Sequence, residues 1–349
     1  MNTLRLGTSD QAIEQAAALL RQGELVAFPT ETVYGLGAHA LDPLAVDKIF
    51  AAKGRPSDNP LIVHIAHRDQ LAGLAESLPP VAEQLMEVFW PGPLTLILPR
   101  RAGVPDRVTA GLSTVAVRMP DHPVALALLE QTGVPIAAPS ANRSGRPSPT
   151  SAEHVLEDLE GRVAAVVDGG DTGVGVESTV LDVTVDPPMI LRPGGITKEM
   201  LEQVTGKVQV DPSLSENRHP DPGSAPRSPG MKYTHYAPQG EMWIVVGDVD
   251  KQSATIQSLV DKSRREGIKT GVLTTEERKG AYRADAVLSC GERGSLETVA
   301  AGLYGVLREF DQLGIERIYS ESFPEAGIGM AVMNRLRKAA GYRVIRAEN

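Results

Sequence analysis

The sequence predicts an α/β protein of two domains, and three observations lead to this prediction. The chain has 349 residues, which is more than a single hydrophobic core usually supports. Short apolar runs alternate with helix-forming stretches along most of its length, a pattern typical of strands and helices that pack in layers. A segment rich in proline and serine interrupts the alternation at residues 211–240. We therefore expect domains at residues 1–210 and 241–349, joined by this linker.

Capping residues, apolar periodicity and glycine or proline stops predict the elements of the first domain. Ser9, for example, precedes a run of helix formers that ends before Gly23. Helices are expected at residues 9–22, 42–52, 79–89, 122–132 and 151–160. Strands are expected at residues 25–28, 61–65, 94–98, 113–118, 134–138, 163–167, 177–182 and 189–192.

The second domain shows a more regular alternation, which predicts a small parallel α/β domain. Its strands are expected at residues 242–246, 268–274, 286–289 and 316–320. Its helices are expected at residues 251–266, 295–313 and 328–340. The sequence offers no catalytic set in this domain, so we expect a packing or regulatory role for it.

Composition and charge exclude several classes of protein. The net charge of −9 argues against stable nucleic-acid binding through a generally basic surface. The single cysteine, Cys290, excludes an internal disulfide framework and cysteine-rich zinc sites, and it fits a reducing cytosol. The chain starts without the apolar core of a signal peptide and contains no run of about 20 apolar residues. We therefore expect a soluble, cytoplasmic protein without membrane association.

Residues 53–64, with the sequence KGRPSDNPLIVH, place two cations and a turn directly before an apolar strand. The two prolines keep the backbone out of helix, so we expect Lys53 and Arg55 on a fixed loop. The alternation of side chains along the strand puts His64 on the face opposite to most of its apolar neighbours. This arrangement favours an anion-binding site, although the stretch alone would also fit a solvated basic turn with a surface histidine.

Cations and hydroxyl groups recur where other predicted strands end. Arg118 ends an apolar strand, so it needs either a structural carboxylate or an anionic ligand group as a partner. Residues 139–148 hold three serines, an asparagine and two arginines, which are donors that phosphate oxygens use, although a solvated linker would look similar. Arg192 ends a later strand. Because ligands of open α/β sheets bind at strand ends, we expect one shared basic cleft.

The residue types in this cleft limit its chemistry. It has no convincing serine or cysteine nucleophile with an adjacent base, and no cluster of histidines and carboxylates for a metal. Recognition of polyanions remains, and phosphoryl or nucleotidyl transfer is the reaction class that depends mainly on positioning and charge neutralisation. We expect Mg²⁺ to accompany the triphosphate, held mostly by phosphate oxygens and water.

Six motifs, in this order, resemble those of the threonylcarbamoyl-AMP synthase family. They are PTETVYGLG at 29–37, KGRPSDNPL at 53–61, APSAN at 138–142, EST at 177–179, LRPG at 191–194 and SPGMKYTHYAP at 228–238. The resemblance implies an N-terminal YrdC-like domain, which is a twisted mixed sheet with flanking helices and a basic cleft. It also implies a linker that folds over the active site and a smaller, Rossmann-like parallel α/β domain.

The resemblance further implies an enzymatic activity. Members of the family condense L-threonine, bicarbonate and ATP to L-threonylcarbamoyl-AMP and pyrophosphate, which makes them nucleotidyltransferases. The adenylate then passes to other proteins, which form N6-threonylcarbamoyladenosine in tRNA.

The resemblance also assigns roles to residues by their positions in the motifs. The residues implied to bind L-threonine are Thr32, His64, Arg118, Ala138 and Ser178. The residues implied to bind ATP are Arg55, Asn59, Thr114, Ser140, Ser148, Arg192, Tyr233 and Tyr236. Lys53 and Arg55 are the implied catalytic cations, and no residue is implied as a metal ligand.

Two other functions stay open at this point. The cleft could bind double-stranded RNA or tRNA without catalysis, but the acidic net charge and the lack of base-stacking aromatic residues weigh against it. It could also belong to a carbamoyl-transfer domain, as in hydrogenase maturation proteins, but the zinc-finger and acylphosphatase modules expected there are missing from the sequence.

Overall fold

The computed structural model describes residues 2–215, 226–229 and 235–347. These residues form two compact units. Unit 1 contains the described residues 2–144, 148–215 and 226–229, and unit 2 contains residues 145–147 and 235–347. Unit 1 has a mixed sheet and unit 2 a parallel one, both with helices, so the predicted fold class is confirmed.

Unit 1 is built on an eleven-stranded sheet. Its strands are β1 (Leu4–Leu6), β2 (Val26–Phe28), β3 (Gly35–His39), β4 (Ile62–His64), β5 (Leu94–Pro99), β6 (Thr114–Arg118), β7 (Ile136–Ala137), β8 (Ala165–Val167), β9 (Thr179–Asp182), β10 (Met189–Arg192) and β11 (Gln209–Val210). They are ordered β1-β8-β2-β3-β7-β4-β6-β5-β9-β10-β11. Strands β4 and β6 run parallel and β5 and β6 run antiparallel, so the sheet is mixed.

Several helices of unit 1 begin at a serine, threonine or aspartate whose side chain caps them, and two of them end at a left-handed glycine. They are α1 (Asp10–Arg21), α2 (Pro43–Lys53), α3 (Pro80–Phe89), α4 (Asp106–Thr109), α5 (Pro123–Thr132), α6 (Ala152–Leu159), α7 (Lys198–Thr205) and α8 (Pro212–Ser215), with a 3-10 helix at Arg68–Gly73. The Ser9 hydroxyl accepts a hydrogen bond from the backbone N–H of Ala12 at 3.3 Å and so caps α1.

The central strand β4 has apolar side chains on both faces of the sheet. Leu61 and Val63 belong to the largest core cluster of the unit, whereas Ile62 packs in a separate cluster with Ala116. This division agrees with the alternation predicted for the strand. A strand buried on both faces is held in one register, because a slip by one residue would turn every side chain to the opposite face.

Two features of unit 1 differ from the sequence-based expectation. Lys53 is the last residue of helix α2, and the left-handed Gly54 (φ 61°) ends that helix, so the prediction that Lys53 lies on a fixed loop was wrong. Glycine supplies the positive φ that this helix end requires. No strand is expected from the sequence at residues 35–39, yet β3 forms there, because β2 and β7 pair with it on either side.

Unit 2 has a five-stranded parallel sheet. Its strands are β12 (Glu241–Val246), β13 (Thr270–Thr274), β14 (Ala286–Ser289), β15 (Arg317–Glu321) and β16 (Val344–Arg346), ordered β14-β13-β15-β12-β16. Its helices are α9 (Val249–Arg265), α10 (Leu296–Gln312) and α11 (Gly329–Ala339), with a 3-10 helix at Glu276–Ala281. The predicted parallel alternation is confirmed, and β16 is an additional edge strand.

A buried carboxylate lies where β15 ends. Glu321 accepts hydrogen bonds from Thr274 Oγ1 at 3.0 Å, Arg278 Nε at 3.2 Å and Arg293 Nη1 at 3.0 Å, and it also contacts the Tyr282 hydroxyl. Burial, together with this carboxylate, raises the pKa of Tyr282 to about 12. The network satisfies a charge that would otherwise be costly in the interior.

Within the described parts of the chain, no helix has the combination of length and hydropathy needed to cross a membrane.

Candidate active site

Three polar side chains of unit 1 form a row across the middle of its sheet. Arg118 on β6 is paired in register with His64 on β4 and with Thr95 on β5. Directly paired residues on adjacent strands project from the same face of a sheet, so the three side chains lie side by side. All three are buried. The sheet therefore brings together two of the residues implied to bind L-threonine and adds a third residue, Thr95.

Arg118 is the cation of this row. Its Nη1 donates a hydrogen bond to Thr32 Oγ1 at 2.9 Å, and its Nε donates to the carbonyl oxygen of Gly92 at 3.3 Å. Its Nη2 forms an ion pair with a carboxylate oxygen of Glu31. Glu31 is thus a structural carboxylate for Arg118, one of the two kinds of partner expected for it, and Thr32 lies beside the guanidinium.

His64 is a neutral member of the row at physiological pH. Burial of the imidazole and, second, the charge of Arg118 lower its pKa to about 3. Its Nδ1 lies 3.2 Å from the carbonyl oxygen of Ile62, and its ring meets that of Phe28 edge-on. A neutral imidazole in this position can offer a hydrogen bond without adding a second positive charge.

Ser178 connects the row to Arg192. Its hydroxyl lies 2.7 Å from Thr95 Oγ1, and Arg192 Nη2 donates to both Ser178 Oγ at 3.1 Å and the Ser178 carbonyl oxygen at 3.0 Å. Arg192 Nη1 also lies 3.5 Å from the carbonyl oxygen of Pro229. One residue implied for threonine and one implied for ATP are therefore in direct contact.

Lys53 holds the segment that follows β7. Its Nζ donates to the carbonyl oxygen of Asn142 at 2.5 Å and contacts the carbonyl oxygen of Ser140. The Ser140 hydroxyl donates to Asn142 Oδ1 at 2.6 Å. Because an ammonium group binds carbonyl oxygens strongly, Lys53 fixes the backbone around Ser140, a residue implied to bind ATP.

The hydroxyl-rich motif at 29–37 pairs with the segment after β7. Gly35 forms an isolated β-bridge with Ser140, and the backbone N–H of Ala141 donates to the carbonyl oxygen of Tyr34 at 2.8 Å. Ala138, whose N–H donates to the carbonyl oxygen of Ile62 at 2.9 Å, is buried between these elements and β4. Two of the sequence motifs therefore meet here, and a third joins them through the contact of Lys53 with Asn142.

Arg55 and Asn59 lie on the loop between α2 and β4. Arg55 Nη2 donates to the carbonyl oxygen of Pro60 at 3.0 Å. Asn59 is almost fully buried, and no described residue donates a hydrogen bond to its Oδ1. Thr114 begins β6, four residues before Arg118, so the two lie roughly 13 Å apart along the strand.

Ser148 is buried in unit 1, and its hydroxyl donates to Glu177 Oε1 at 2.5 Å. Tyr236 belongs to unit 2, where its ring stacks on Tyr304 at 5.3 Å between centroids and the guanidinium carbon of Arg335 lies 5.5 Å from its ring centroid. Tyr233 lies outside the described residues, and its role stays a prediction.

Sequence reasoning did not identify three residues of this site: Glu31, Thr95 and Glu177. Thr95 could have been found, because it is a lone hydroxyl on an otherwise apolar strand. Glu31 and Glu177 stand directly before Thr32 and Ser178 in two of the motifs. A buried carboxylate needs a cation or hydrogen-bond donor as its partner. This requirement could have identified both glutamates as members of the site.

The arrangement is suited to small anions. Lys53, Arg118 and Arg192 are each at most 5 % exposed, and charges in such a setting interact more strongly than they would in water. Hydroxyl groups and a neutral imidazole surround them. Within the described residues, no group of three or more histidines, cysteines or carboxylates is placed to hold a metal ion.

Comparisons with known proteins agree along the whole chain. A family model described as "Telomere recombination", for Sua5, YciO and YrdC proteins, matches residues 18–194. A second model, described as "Threonylcarbamoyl-AMP synthase, C-terminal domain", matches residues 196–341. Together they cover both parts of the chain.

Relatives and a solved structure give the same result. The chain is 59 % identical to the threonylcarbamoyl-AMP synthase of Bacillus subtilis, with 99 % of this chain and 97 % of the relative covered. It is 52 % identical to that of Pyrococcus abyssi, with 96 % and 95 % covered. The crystal structure of P. abyssi Sua5 complexed with L-threonine is 49 % identical, covers 100 % of both chains and superposes with a TM-score of 0.93. This chain therefore belongs to the threonylcarbamoyl-AMP synthase family.

Proposed function

We propose that this protein is an L-threonylcarbamoyl-AMP synthase that condenses L-threonine, bicarbonate and ATP and releases pyrophosphate. The observation that carries the proposal is a path of neighbouring residues: Arg118 is the register partner of Thr95 in the sheet, and hydrogen-bond contacts connect Thr95 to Ser178 and Ser178 to Arg192. This path joins the residues implied for the amino acid to those implied for the nucleotide. The full-length similarity to enzymes of this name supports the same reaction.

The amino acid would bind along the polar row. Arg118 would hold its carboxylate, because a guanidinium binds planar carboxylates through two parallel hydrogen bonds. Thr32 and Ser178 would supply hydroxyl groups, and Ala138 would border the bound molecule. The pKa of His64, about 3, favours a role as a neutral hydrogen-bond partner over that of a base.

The nucleotide would bind next to this row. Ser140, Ser148, Arg192 and the loop residues Arg55 and Asn59 are the groups that we assign to ATP, together with Thr114. Lys53, which is bound to the backbone at Ser140 and Asn142, would keep that segment in shape and add positive charge near the phosphates. Tyr233 and Tyr236 are assigned to ATP on the resemblance alone.

Mg²⁺ fits this donor set as a companion of ATP. The described residues hold no carboxylate cluster for a metal, so phosphate oxygens and water would supply most of its ligands, as is common for Mg²⁺. Bound there, the ion would neutralise charge on the triphosphate. The buried oxygen of Asn59, which accepts no hydrogen bond from a described residue, is one protein oxygen in the implied ATP site.

The reaction would use positioning and charge neutralisation. The threonine amine forms a carbamate with bicarbonate-derived CO₂, and a carbamate oxygen then attacks the α-phosphorus of ATP. An oxygen–phosphorus bond forms to the carbamate, while the bond between the α-phosphorus and the bridging oxygen breaks and pyrophosphate leaves. Carbamates decompose in water, so the buried setting of the row would protect this species.

We also propose where the product goes and in which compartment the enzyme acts. The adenylate would pass to tRNA-modifying proteins, and we place the enzyme in the cytoplasm, where the substrates are available. As a transfer of AMP to a carbamate, the reaction would be a nucleotidyl transfer. No observation on the structure favours the tRNA-binding alternative.

One assay tests the proposal. The purified protein is incubated with L-threonine, bicarbonate, ATP and Mg²⁺, and the adenylate is sought by mass spectrometry while pyrophosphate is measured. Parallel reactions omit one component each. We expect the adenylate only in the complete mixture, and pyrophosphate release that does not depend on threonine would overturn the proposal.

A further inference from the structure

Glu31 is the carboxylate that faces Arg118. It lies between Thr30 and Thr32 in the hydroxyl-rich motif, and its Oε1 forms an ion pair with Arg118 Nη2. Only 13 % of the Glu31 side chain and 4 % of the Arg118 side chain are exposed. The guanidinium that we assign to the substrate carboxylate is therefore already neutralised by a carboxylate of the protein itself.

The hydrogen-bonding capacity of Glu31 is used only in part, by the close contact of its Oε1 with Arg118 Nη2. Apart from this contact, no described residue donates a hydrogen bond to either of its carboxylate oxygens, and both oxygens are shielded from solvent. Buried carboxylates normally accept several hydrogen bonds, because leaving them unsatisfied is costly.

His122 adds to this observation. Its Nδ1 is buried without a hydrogen-bond partner among the described residues. Burial lowers the pKa of His122, although the carboxylates of Glu31 and Asp121 act in the opposite direction. His122 is therefore neutral near pH 7 and does not provide a second cation for Glu31.

We propose that Glu31 binds the ammonium group of the amino-acid substrate. An amino acid carries one carboxylate and one ammonium, so it can replace the Glu31–Arg118 pair by two new pairs. Its carboxylate would take the place of Glu31 on Arg118, and its ammonium would donate to the freed oxygens of Glu31. An ammonium has three donors and a carboxylate about four acceptor positions. The exchange therefore lets Glu31 accept hydrogen bonds that it does not accept in the unliganded pair.

This inference rests on the proposed function and assigns a specificity to the amino-acid site. A site that is built to accept hydrogen bonds from a substrate amine rejects an analogue without it, because its buried acceptor is then left unpaired. We therefore expect α-amino acids to bind much more tightly than acids of the same shape that lack the amine.

Binding measurements with two ligands test the role of Glu31. L-Threonine and (R)-3-hydroxybutyrate, which has the shape of threonine without its amine, are titrated into the wild-type protein, Glu31→Gln and Glu31→Asp. Glu87→Gln, a change at an exposed position of helix α3, is the matched control. We expect Glu31→Gln to weaken threonine binding at least tenfold and to leave 3-hydroxybutyrate binding equal or tighter, since Arg118 loses its competing partner.

The ratio of the two affinities separates this role from a structural one. If Glu31 only positions Arg118, Glu31→Gln will weaken both ligands by the same factor, and that result would overturn the inference. If Glu31→Gln does not fold, Glu31→Asp takes its place, because it keeps the charge but shortens the side chain. We expect Glu31→Asp to lower the preference for threonine over 3-hydroxybutyrate. An unchanged preference would also overturn the inference. A wild-type protein that binds no threonine would refute the proposed function and, with it, this inference.

Discussion

His64 and Arg118 are direct neighbours on the parallel strands β4 and β6, and both are buried. Burial and, second, the guanidinium charge hold the pKa of His64 at about 3, so Arg118 carries the positive charge of this pair alone. The sheet thus sets a charged donor and a neutral one side by side. This relationship determines how unit 1 should respond to acid.

Acid should destabilise unit 1 through His64. In the unfolded chain a histidine has a pKa near 6.5, whereas in the folded protein that of His64 is about 3, so the unfolded state binds the proton first. The free energy of unfolding should therefore fall by about 1.4 kcal/mol per pH unit below pH 6.5, with the loss complete near pH 3. Urea denaturation at pH 7.0 and 5.5 measures this difference.

Substitution identifies the histidine responsible. His64→Gln removes the titrating group, so its stability should change less between these two pH values than that of the wild-type protein. The exposed His67→Gln is the control. A Trp243→Phe background confines tryptophan fluorescence to Trp90 of unit 1. The same pH dependence in His64→Gln and the wild type would show that His64 is not the group involved.

Thr95→Val should weaken threonine use selectively. The change keeps the shape of the side chain but removes the hydroxyl that lies 2.7 Å from Ser178 Oγ. A hydrogen bond of this kind contributes about 1 kcal/mol, so we expect the KM for L-threonine to rise roughly fivefold, with the KM for ATP nearly unchanged. Pyrophosphate release measures both values. The control, Thr8→Val at an exposed position, should leave both KM values unchanged. An equal rise in the two KM values in Thr95→Val would contradict a selective role.

Lys53→Met should destabilise unit 1 and weaken ATP use. It removes the charged donor to the carbonyl oxygen of Asn142, and a buried hydrogen bond to a charged group contributes about 2 kcal/mol. Lys48→Met is the control on the same helix. The ammonium of Lys48 is exposed to solvent in its contacts with Glu24 and with the carbonyl oxygen of Gly23, so these contacts should contribute less than the buried ones of Lys53. Urea denaturation and the KM for ATP are the measurements, and equal losses in the two variants would argue against the role assigned to Lys53.

Cys290 should react slowly with alkylating reagents in the native protein. Burial raises the pKa of its thiol to about 12, and the thiolate is the reactive form. We expect little modification by iodoacetamide at pH 8 over a period in which the urea-denatured protein is fully modified. Because the chain has one cysteine, intact-mass spectrometry shows the extent directly. Rapid labelling of the native protein would mean that this thiol is accessible.

The sequence predicted the elements with strong periodicity well. Helices α1 and α10 lie within a few residues of their expected bounds, because capping residues and apolar faces mark them locally. Strand β3 was not predicted, because Gly35–His39 lacks the β-branched residues typical of strands and is held in the sheet by pairing with β2 and β7.

The residues of the candidate site that lie in sequence motifs were predictable, whereas contacts between residues distant in the chain were not. Arg118 was recognisable as a cation on an apolar strand, and the structure places it beside Thr32 as the motifs would require. Its ion pair with Glu31 was not predictable, because it joins residues 87 positions apart in the chain. The helical position of Lys53 was missed because Gly54, not the following proline, ends helix α2.

The row formed by His64, Arg118 and Thr95 depends on backbone pairing rather than on loops. Adjacent strands are about 4.8 Å apart, and this spacing is fixed by main-chain hydrogen bonds. Insertions in the surface loops of unit 1 can therefore accumulate without moving these three side chains relative to one another. An insertion of one residue within β6 would instead turn Arg118 to the other face and abolish the site in a single step.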